Sequence, residues 1–304
     1  MPDAKELAYR YDLFITPDWR ERFDTLVDEK VAIPIQGRIL EVNSGTGARA
    51  IELVERMHGK GEAVGIDPSA ERITLARAKA QIAKTEAVIF EQGISSSLPF
   101  ESNEFDAVIG DASMLRANQI DGTLAEMLRV AKPEAPVILK LATHGSFGEF
   151  FSIYWEALYE VGMADEGWSA LERLISERLT LFDAELMAER LGLRKAQSFL
   201  SKEEFVFETG AEFLESPLIQ DAFLDEWLDI VPARSRDEVR GQIVSIIDRE
   251  RRDAPFYVSV KASVITGVKE IGPPLNTLAR KYGAYPVALK SERLGVRDSE
   301  GVGS

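Results

Sequence analysis

The sequence contains no cysteine and only two histidines, His58 and His144. Cysteine thiols form disulfides, act as nucleophiles and, with imidazoles, supply most ligands of zinc and related metals. The composition therefore excludes disulfides, thiolate metal sites and thiol nucleophiles, and we expect no bound metal.

Basic residues are outnumbered, because 36 Lys and Arg against 51 Asp and Glu give a net charge of −15. Such a chain repels a phosphate backbone, so we expect no nucleic-acid partner. No stretch approaches the roughly 18 apolar residues of a membrane span, and the polar N-terminus lacks the apolar core of a signal peptide. We expect a cytoplasmic protein without a membrane span, and no feature specifies an oligomeric state.

Short runs rich in Val and Ile alternate with helical patterns between about residues 38 and 141. This alternation predicts a doubly wound, mostly parallel sheet, because each connection is long enough for a crossover helix. The five apolar runs are GRILEVN, EAVGID, AVIFEQG, FDAVIGD and PVILKLA.

After Thr143 the pattern changes to long helical stretches at 147–162 and 169–190. AQSF and EEFVFE are candidate strand material, and residues 256–266 form a clear late strand. The expected fold is a seven-stranded sheet. We expect residues 1–210 and 254–267 to form the core, with 147–190 partly capping it. We expect a helical cap insertion at 211–253 and an irregular arm at 268–304.

The segment ILEVNSGTGARA, residues 39–50, predicts a strand, a tight glycine turn and the start of a helix. Glycine lets the backbone turn sharply and approach a ligand, and the free N–H groups at a helix start attract anions. Asp67 follows Gly47 by twenty residues, a place from which a carboxylate can bind ribose hydroxyls. Gly45, Gly47 and Ala50 also satisfy a dinucleotide-binding pattern, and a turn that needs glycine only for its geometry is a further reading.

From these residues onward the chain resembles the class I S-adenosylmethionine-dependent methyltransferases, particularly the branch of ubiquinone and menaquinone biosynthesis. ILEVNSGTG resembles the family's E-x-G-x-G-x-G loop, and GIDPSAERITLARAK resembles its second motif. SLPFESNEFDAVIG resembles its L-P-F…F-D-x-V segment, EMLRVAKPEAPVIL its stretch into the fifth strand, and YDLF…WR its entry segment. The resemblance spans roughly residues 9–141 together with the late strand, and it implies a Rossmann-like methyltransferase fold with S-adenosylmethionine as cofactor.

The resemblance also implies roles for individual residues. The 43–47 loop would cradle the methionine part of the cofactor, Glu41 would help to hold its ammonium group, and Asp67 would bind the ribose. The full cofactor set that it implies is Glu41, Asn43, Ser44, Gly45, Gly47, Asp67, Pro68, Ile94, Ser95, Asp111 and Ala112.

The sequence departs from the family pattern at three places. Asn43 stands where the first glycine is usual, Ile94 where an adenine-binding Asp is common, and Glu134 with Ala135 where a glycine pair is usual. Asn tolerates left-handed backbone conformations, so the turn need not be lost. The departures keep open a methyltransferase-like binding or scaffold protein without activity, and the glycine pattern keeps open an NAD-dependent oxidoreductase.

The acceptor is expected to be a small molecule that is apolar or aromatic, because aromatic residues recur at helical spacing from Phe147 to Tyr159. Packing of this stripe against the sheet or cap as ordinary core is the alternative reading, and the stripe could also be part of a lid over the acceptor. The candidate substrate residues are Tyr11, Phe147, Phe151 and Trp155. Methyl transfer demands no general base, but the candidates for one are His144 and Asp111.

Overall fold

The predicted α/β fold is confirmed by the computed structural model, which describes residues 2–251 and 254–271. Seven strands form one sheet in the order β3-β2-β1-β4-β5-β7-β6. The first five are parallel, and β7 is antiparallel to both β5 and β6. The strands are β1 (Gly37–Val42), β2 (Gly61–Asp67), β3 (Val88–Gln92), β4 (Ala107–Asp111), β5 (Pro136–Ala142), β6 (Leu193–Phe207) and β7 (Phe256–Lys269).

The two central strands, β1 and β4, are bordered by parallel neighbours and covered on both faces by helices. Continuous apolar sequence is typical of strands in this position, and every residue of β4 is buried. The crossover helices are α3 (Ala48–Met57), α4 (Ala70–Ile82) and α5 (Ala117–Val130). The Ser69 hydroxyl caps α4 by accepting the Arg72 N–H, as the sequence predicts.

Three consecutive helical segments precede the sheet: α1 (Ala4–Arg10), a π-helix (Tyr11–Arg20) and α2 (Glu21–Lys30). The Glu21 N–H donates to the Thr16 carbonyl, the i to i+5 bond that defines a π-helix. Such a helix has about 4.4 residues per turn, so Tyr11 and Arg20, nine residues apart, lie on the same face. In an α-helix nine residues make about 2.5 turns and would place the two side chains on opposite faces.

The remaining helices cover the sheet beyond β5. They are α6 (Gly148–Glu160), α7 (Ala164–Ser176), α8 (Leu181–Leu191), α9 (Gly210–Glu215), α10 (Pro217–Ala222), α11 (Leu224–Leu228), a 3₁₀ turn (Ala233–Ser235) and α12 (Arg236–Arg251). The stretch 169–190, expected as one helix, contains a break, because Thr180 caps a new helix by accepting the Asp183 N–H.

Helices occupy the segment expected as an insertion, and they pack on α6 through a common aromatic core. Trp227 of α11 stacks on Phe150 of α6 with ring centroids 4.3 Å apart, and Phe213 of α9 lies 5.2 Å from Phe150. The Tyr154 hydroxyl donates to the Trp227 carbonyl at 2.7 Å. This packing makes most of the predicted aromatic stripe part of the core.

The two strand candidates after residue 190 belong to one continuous strand, β6, which forms an edge of the sheet. The late strand β7 lies between β5 and β6 and extends to Lys269, two residues beyond the expected core boundary. The predicted arm therefore begins with strand residues, and its part from 272 to 304 lies outside the described residues. Within the described ranges, no helix is both long and apolar enough to cross a membrane.

Candidate functional site

The glycine turn lies at the carboxyl end of β1, where β1 passes into α3. Gly45 has φ +60° and Gly47 has φ +79°, conformations that favour glycine. A Cβ on Gly45 would lie 2.8 Å from Tyr11 Cε1 and 3.1 Å from Arg20 Nη1. Gly45 is therefore required both for the turn and for the close approach of the π-helix to the loop.

Asp67 ends β2 and fixes the loop from the side. Its Oδ2 accepts the Gly45 N–H at 2.9 Å, and its Oδ1 accepts the Ser69 N–H at 2.9 Å. Arg72 Nε lies 2.9 Å from the same Oδ1. A carboxylate offers about four acceptor positions, so Asp67 can hold the loop and still bind a ligand hydroxyl.

A cavity of about 400 Å³ opens beside this loop, beyond the carboxyl ends of β1, β2 and β4. Ligands of open α/β sheets bind at this edge. Five of the predicted site residues line it, namely Tyr11, Asn43, Asp67, Pro68 and Asp111. Its other lining residues are Ala4, Leu7, Ala8, Ile15, Arg20, Ser69, Arg72, Met114, Leu115, Asp221 and Ala222.

Arg20 connects the entry segment to the loop. Its guanidinium donates to the Tyr11 hydroxyl at 3.0 Å, to the Asn43 carbonyl at 2.7 Å and to Glu41 Oε1 at 2.9 Å. It also lies 3.5 Å from Asp111 Oδ2. A buried cation with this many acceptors is well compensated, so Arg20 organises the floor of the cavity.

Lys140 is a second buried cation beneath the same floor. Its side chain is fully buried in the middle of β5, 2.8 Å from Asp24 Oδ1 and 3.3 Å from Asp111 Oδ2. Asp111 thus lies between Lys140 and Arg20. This arrangement concentrates positive charge around Asp111.

The two carboxylates of the floor have opposite pKa shifts. Burial raises the pKa of Glu41 to about 7, although the Arg20 and Lys140 charges act in the other direction. Burial alone would also raise the pKa of Asp111, but Lys140, Arg20 and hydrogen bonds from Ser113 hold it at about 2. Asp111 is therefore ionised at neutral pH and a weak base, whereas Glu41 titrates near neutrality.

Three buried side-chain oxygens around the glycine loop have no hydrogen-bond partner, namely Glu41 Oε2, Ser44 Oγ and Asp111 Oδ2, and of these residues only Asp111 lines the cavity. Buried polar atoms are rarely unpaired, and at a ligand site the missing partner is commonly the ligand. Asp111 Oδ2 already lies beside Arg20 and Lys140. Glu41 Oε2 and Ser44 Oγ are therefore the oxygens that suit a ligand with hydrogen-bond donors.

Asn43, which stands at the place of the usual glycine, keeps the turn. Its φ of +57° is left-handed, a conformation that Asn tolerates. Its side-chain Nδ2 donates to the Asp111 carbonyl at 2.8 Å. The substitution thus ties the loop after β1 to the end of β4, a bond that glycine cannot make.

The structure does not bring every predicted residue to this cavity. Ile94 is 57% exposed and the Ser95 hydroxyl pairs with Thr123 Oγ1 at 2.9 Å, and neither residue lines the cavity. His144 is exposed, and its backbone N–H donates to the Leu179 carbonyl at 2.9 Å. Its position gives no support to a role as general base.

A second, narrow cavity of about 30 Å³ lies at the carboxyl ends of β4 and β5. Met114 and Leu115 line both cavities, so these two side chains separate them. The predicted residues Ala112 and Phe151 line the second cavity. Its volume is about that of one water molecule, so a larger ligand could enter only if lining side chains such as Met114 moved.

Two other predicted substrate residues lie elsewhere. Phe147 is buried and stacks on Trp19 with centroids 6.0 Å apart, so it supports the second cavity from behind. Trp155 is 39% exposed, stacks on Tyr159 and lies off both cavity linings. Only one face of α6 thus approaches the site.

Comparison with known proteins identifies a domain in this chain. Residues 39–134 match a family model described as a methyltransferase domain. The chain is 32% identical over 143 residues to demethylmenaquinone methyltransferase of Renibacterium salmoninarum, an alignment that covers 47% of this chain and 55% of that protein. It is 27% identical over 209 residues to the ubiquinone/menaquinone biosynthesis C-methyltransferase UbiE of Citrifermentans bemidjiense, covering 64% of this chain and 87% of that one. The chain thus spans about half the length of the first of these relatives.

A solved structure has the same architecture. The YcgJ protein from Bacillus subtilis superimposes with a TM-score of 0.53 and 18% identity, covering 83% of this chain and 100% of the other. At this identity the likeness concerns the fold.

Proposed function

We propose that this chain, whose residues 39–134 match a methyltransferase domain, is a class I S-adenosylmethionine-dependent methyltransferase of the demethylmenaquinone and ubiquinone/menaquinone branch. It would transfer a methyl group from S-adenosylmethionine to a small apolar or aromatic acceptor. The observation that carries the proposal is the glycine loop, which is bonded through Gly45 to Asp67 beside the 400 Å³ cavity.

Two unpaired buried oxygens beside the glycine loop fit the cofactor. The Glu41 Oε2 and Ser44 Oγ acceptors would receive the ammonium group of its methionine part, and Arg20 would face the carboxylate. Asp67 would accept ribose hydroxyls in the position occupied by the Arg72 guanidinium. The cavity volume lies within the range of ordinary small-molecule sites.

S-adenosylmethionine supplies a methyl group on a positively charged sulfur. Around such a ligand, an ionised carboxylate is stabilising, and the pKa of about 2 keeps Asp111 ionised. The chain's own contribution would otherwise be orientation and exclusion of water, because α1 and α10 cover the cavity. Methyl transfer in this site would therefore require no general base.

The acceptor would enter the second cavity, whose lining includes Phe151, Phe223 and Trp227. Aromatic walls select flat, apolar rings. The names of the curated relatives suggest a quinol-type ring as the first acceptor class to assay.

Calorimetry with S-adenosylhomocysteine, and with NAD as the competing ligand, tests the cofactor. We expect the parent protein to bind S-adenosylhomocysteine and not NAD. The Asp67→Ala variant should bind S-adenosylhomocysteine about tenfold or more weakly, a loss of about 1.4 kcal/mol or more. Asp67→Asn is the matched variant, because it retains one oxygen that can hold the Gly45 N–H. Unchanged affinity in Asp67→Ala, or preference for NAD, would contradict the assignment.

Turnover is tested separately by incubating the protein with methyl-labelled cofactor and a panel of quinols and other aromatic acceptors. Transfer of label to an aromatic acceptor is the expected result. Cofactor binding without transfer to any acceptor would instead favour a binding protein with a methyltransferase fold.

A further inference from the structure

Arg178 lies in the connection between α7 and α8, against the wall of the second cavity. Its Cζ is 5.2 Å from the centroid of the Phe147 ring and 5.8 Å from that of Phe223. Both distances are within the range of cation–π attraction. The guanidinium therefore lies between aromatic faces, in the lining that is expected to receive the acceptor.

The polar contacts of Arg178 are few for a guanidinium. Its Nη1 donates to the Ala142 carbonyl at 3.4 Å, a long hydrogen bond, and among the described residues no carboxylate forms an ion pair with it. Glu226 lines the same cavity but pairs with Arg116 at 3.4 Å. A guanidinium has five N–H donors, so most of the recognition capacity of Arg178 is unused.

This placement is costly without a partner. Burial lowers the pKa of Arg178 to about 10, with Glu226 acting weakly in the other direction. Arg178 nevertheless remains a cation at neutral pH. A desolvated cation is stabilised mainly by an opposite charge, and no carboxylate within residues 2–251 and 254–271 forms an ion pair with Arg178.

Arg178 lies in the cavity that adjoins the proposed cofactor cavity. Ala112 and Ala142, at the ends of β4 and β5, line the second cavity together with Arg178, and Met114 separates it from the first. An acceptor ring must displace Met114, whose unbranched side chain adapts easily. A ring that takes the place of Met114 would then lie in the same cavity as Arg178.

We propose that Arg178 selects acceptors that carry an anionic oxygen, a carboxylate or a phenolate, by forming the ion pair that no described carboxylate provides. This inference rests on the proposed function, since it assigns the second cavity to the acceptor. It deepens that function by making charge, in addition to aromatic shape, the basis of acceptor choice.

Titration calorimetry on the full chain saturated with S-adenosylhomocysteine tests the proposal at about pH 8, where Arg178 is still charged. The probes are benzoate for a carboxylate, 4-nitrophenolate for a phenolate, and benzamide as the neutral match. We expect at least one anion to bind about tenfold or more tightly than benzamide, a preference of about 1.4 kcal/mol. Whichever anion shows the preference identifies the oxygen class.

Two variants should shift this preference in opposite directions. Arg178→Gln should abolish the preference for the anion, whereas Glu226→Gln should strengthen anion binding several-fold by removing the competing carboxylate. Arg178→Lys should retain part of the preference, and it keeps the test valid if Arg178→Gln fails to fold. A merely structural arginine would not produce opposite signs.

Equal binding of benzoate, 4-nitrophenolate and benzamide by the parent would overturn the proposal, as would an anion preference that survives in Arg178→Gln. Binding of S-adenosylhomocysteine should be the same in parent and Arg178→Gln. A protein that binds no S-adenosylhomocysteine would contradict the proposed function while leaving the Arg178 test intact, because the anion titration can be run without it.

Discussion

At the scale of single residues, Glu41 and Asp111 illustrate how neighbouring strands can give two carboxylates different charges. Both are buried, so desolvation favours the protonated form of each. Asp111 has two cations close to one oxygen, whereas Glu41 has Arg20 on one oxygen and no hydrogen-bond partner on the other. The position of Lys140 therefore decides which carboxylate stays ionised.

Glu41 should make cofactor affinity depend on pH. With a pKa of about 7, Glu41 is mostly protonated at pH 6 and mostly ionised at pH 8, and only the ionised form attracts an ammonium group. We expect affinity for S-adenosylhomocysteine to increase by about tenfold over this interval. Calorimetry at both pH values on the parent and on Glu41→Gln measures the effect.

The Glu41→Gln variant distinguishes the titration of Glu41 from that of the ligand. The ligand's own amino group titrates in both proteins, so any difference between their pH profiles comes from Glu41. A flat pH profile in the parent, or an equally steep one in Glu41→Gln, would remove Glu41 from the ammonium site.

The same shifts contribute to stability with opposite signs. The folded state keeps the Glu41 proton to about pH 7 and the unfolded chain releases it near 4.5, so this contribution is complete below 4.5 and lost as pH rises through 7. The Asp111 contribution is present above its ordinary value of 3.8 and lost as pH falls through about 2. The site residues therefore oppose each other in the pH dependence of folding.

At the scale of elements, α6 has one face towards the core and the acceptor cavity and another towards solvent. Phe151 is buried and lines the second cavity, whereas Trp155, one turn later, is 39% exposed. We expect Phe151→Leu to lower acceptor turnover while leaving S-adenosylhomocysteine affinity unchanged. Trp155→Leu should leave both within about twofold and change stability by about 0.5 kcal/mol or less.

Turnover, calorimetry and thermal unfolding on the matched pair check this expectation. Impaired turnover in a folded Trp155→Leu protein would show that α6 moves over the acceptor as a lid. Equal loss of turnover and cofactor affinity in Phe151→Leu would show a general packing defect.

Periodicity predicts the strands and crossover helices well, because β1, β2, β4 and β5 are continuous apolar runs between capped helices. It does not predict the π-helix, since its spacing differs from the 3.6-residue period on which helix patterns rest. Periodicity does not predict the break between α7 and α8 either, because the apolar spacing continues across residues 177–180 and only the Thr180 cap marks the new start.

At the scale of the whole molecule, the cofactor cavity is covered by two elements that are distant in sequence. Arg10 of α1 forms a bidentate pair with Asp221 of α10, at 2.7 and 3.0 Å, and both helices line the cavity. Ligand exchange should require these helices to separate. The N-terminal segment and the cap therefore act together as the cover of the site.

Weakening this pair should accelerate ligand release. A partly exposed pair contributes up to about 1 kcal/mol, so we expect Asp221→Asn to increase the dissociation rate of S-adenosylhomocysteine by about two- to fivefold. Stopped-flow tryptophan fluorescence measures the rate. Asp121→Asn, which breaks the exposed pair of Asp121 with Arg190, is the matched control. Identical rates in the two variants would show that exchange does not pass between α1 and α10.

The sequence predicts the part of the site that the glycine turn forms. It does not predict the buried cations, which come from segments distant in sequence. Lys140 had a usable signal, a lone lysine inside the apolar run PVILKLA. Arg20 stands in the WR pair of the entry segment, but its contact with Glu41 depends on the unpredicted π-helix. Arg178 had no signal, because an arginine between two helices is usually a surface residue and only the tertiary fold surrounds it with Phe147 and Phe223.

The π-helix makes the length of the entry segment more important than most of its residues. An α-helix would bring two side chains to one face with a separation of seven residues, so the nine-residue separation of Tyr11 and Arg20 contains two residues more than α-helical geometry needs. Leu13 and Phe14 are exposed and should tolerate exchange for other residue types. A single deletion between Tyr11 and Arg20 would instead rotate the guanidinium away from Glu41 by most of a right angle. In this segment, relatives should therefore differ in composition far more readily than in residue count.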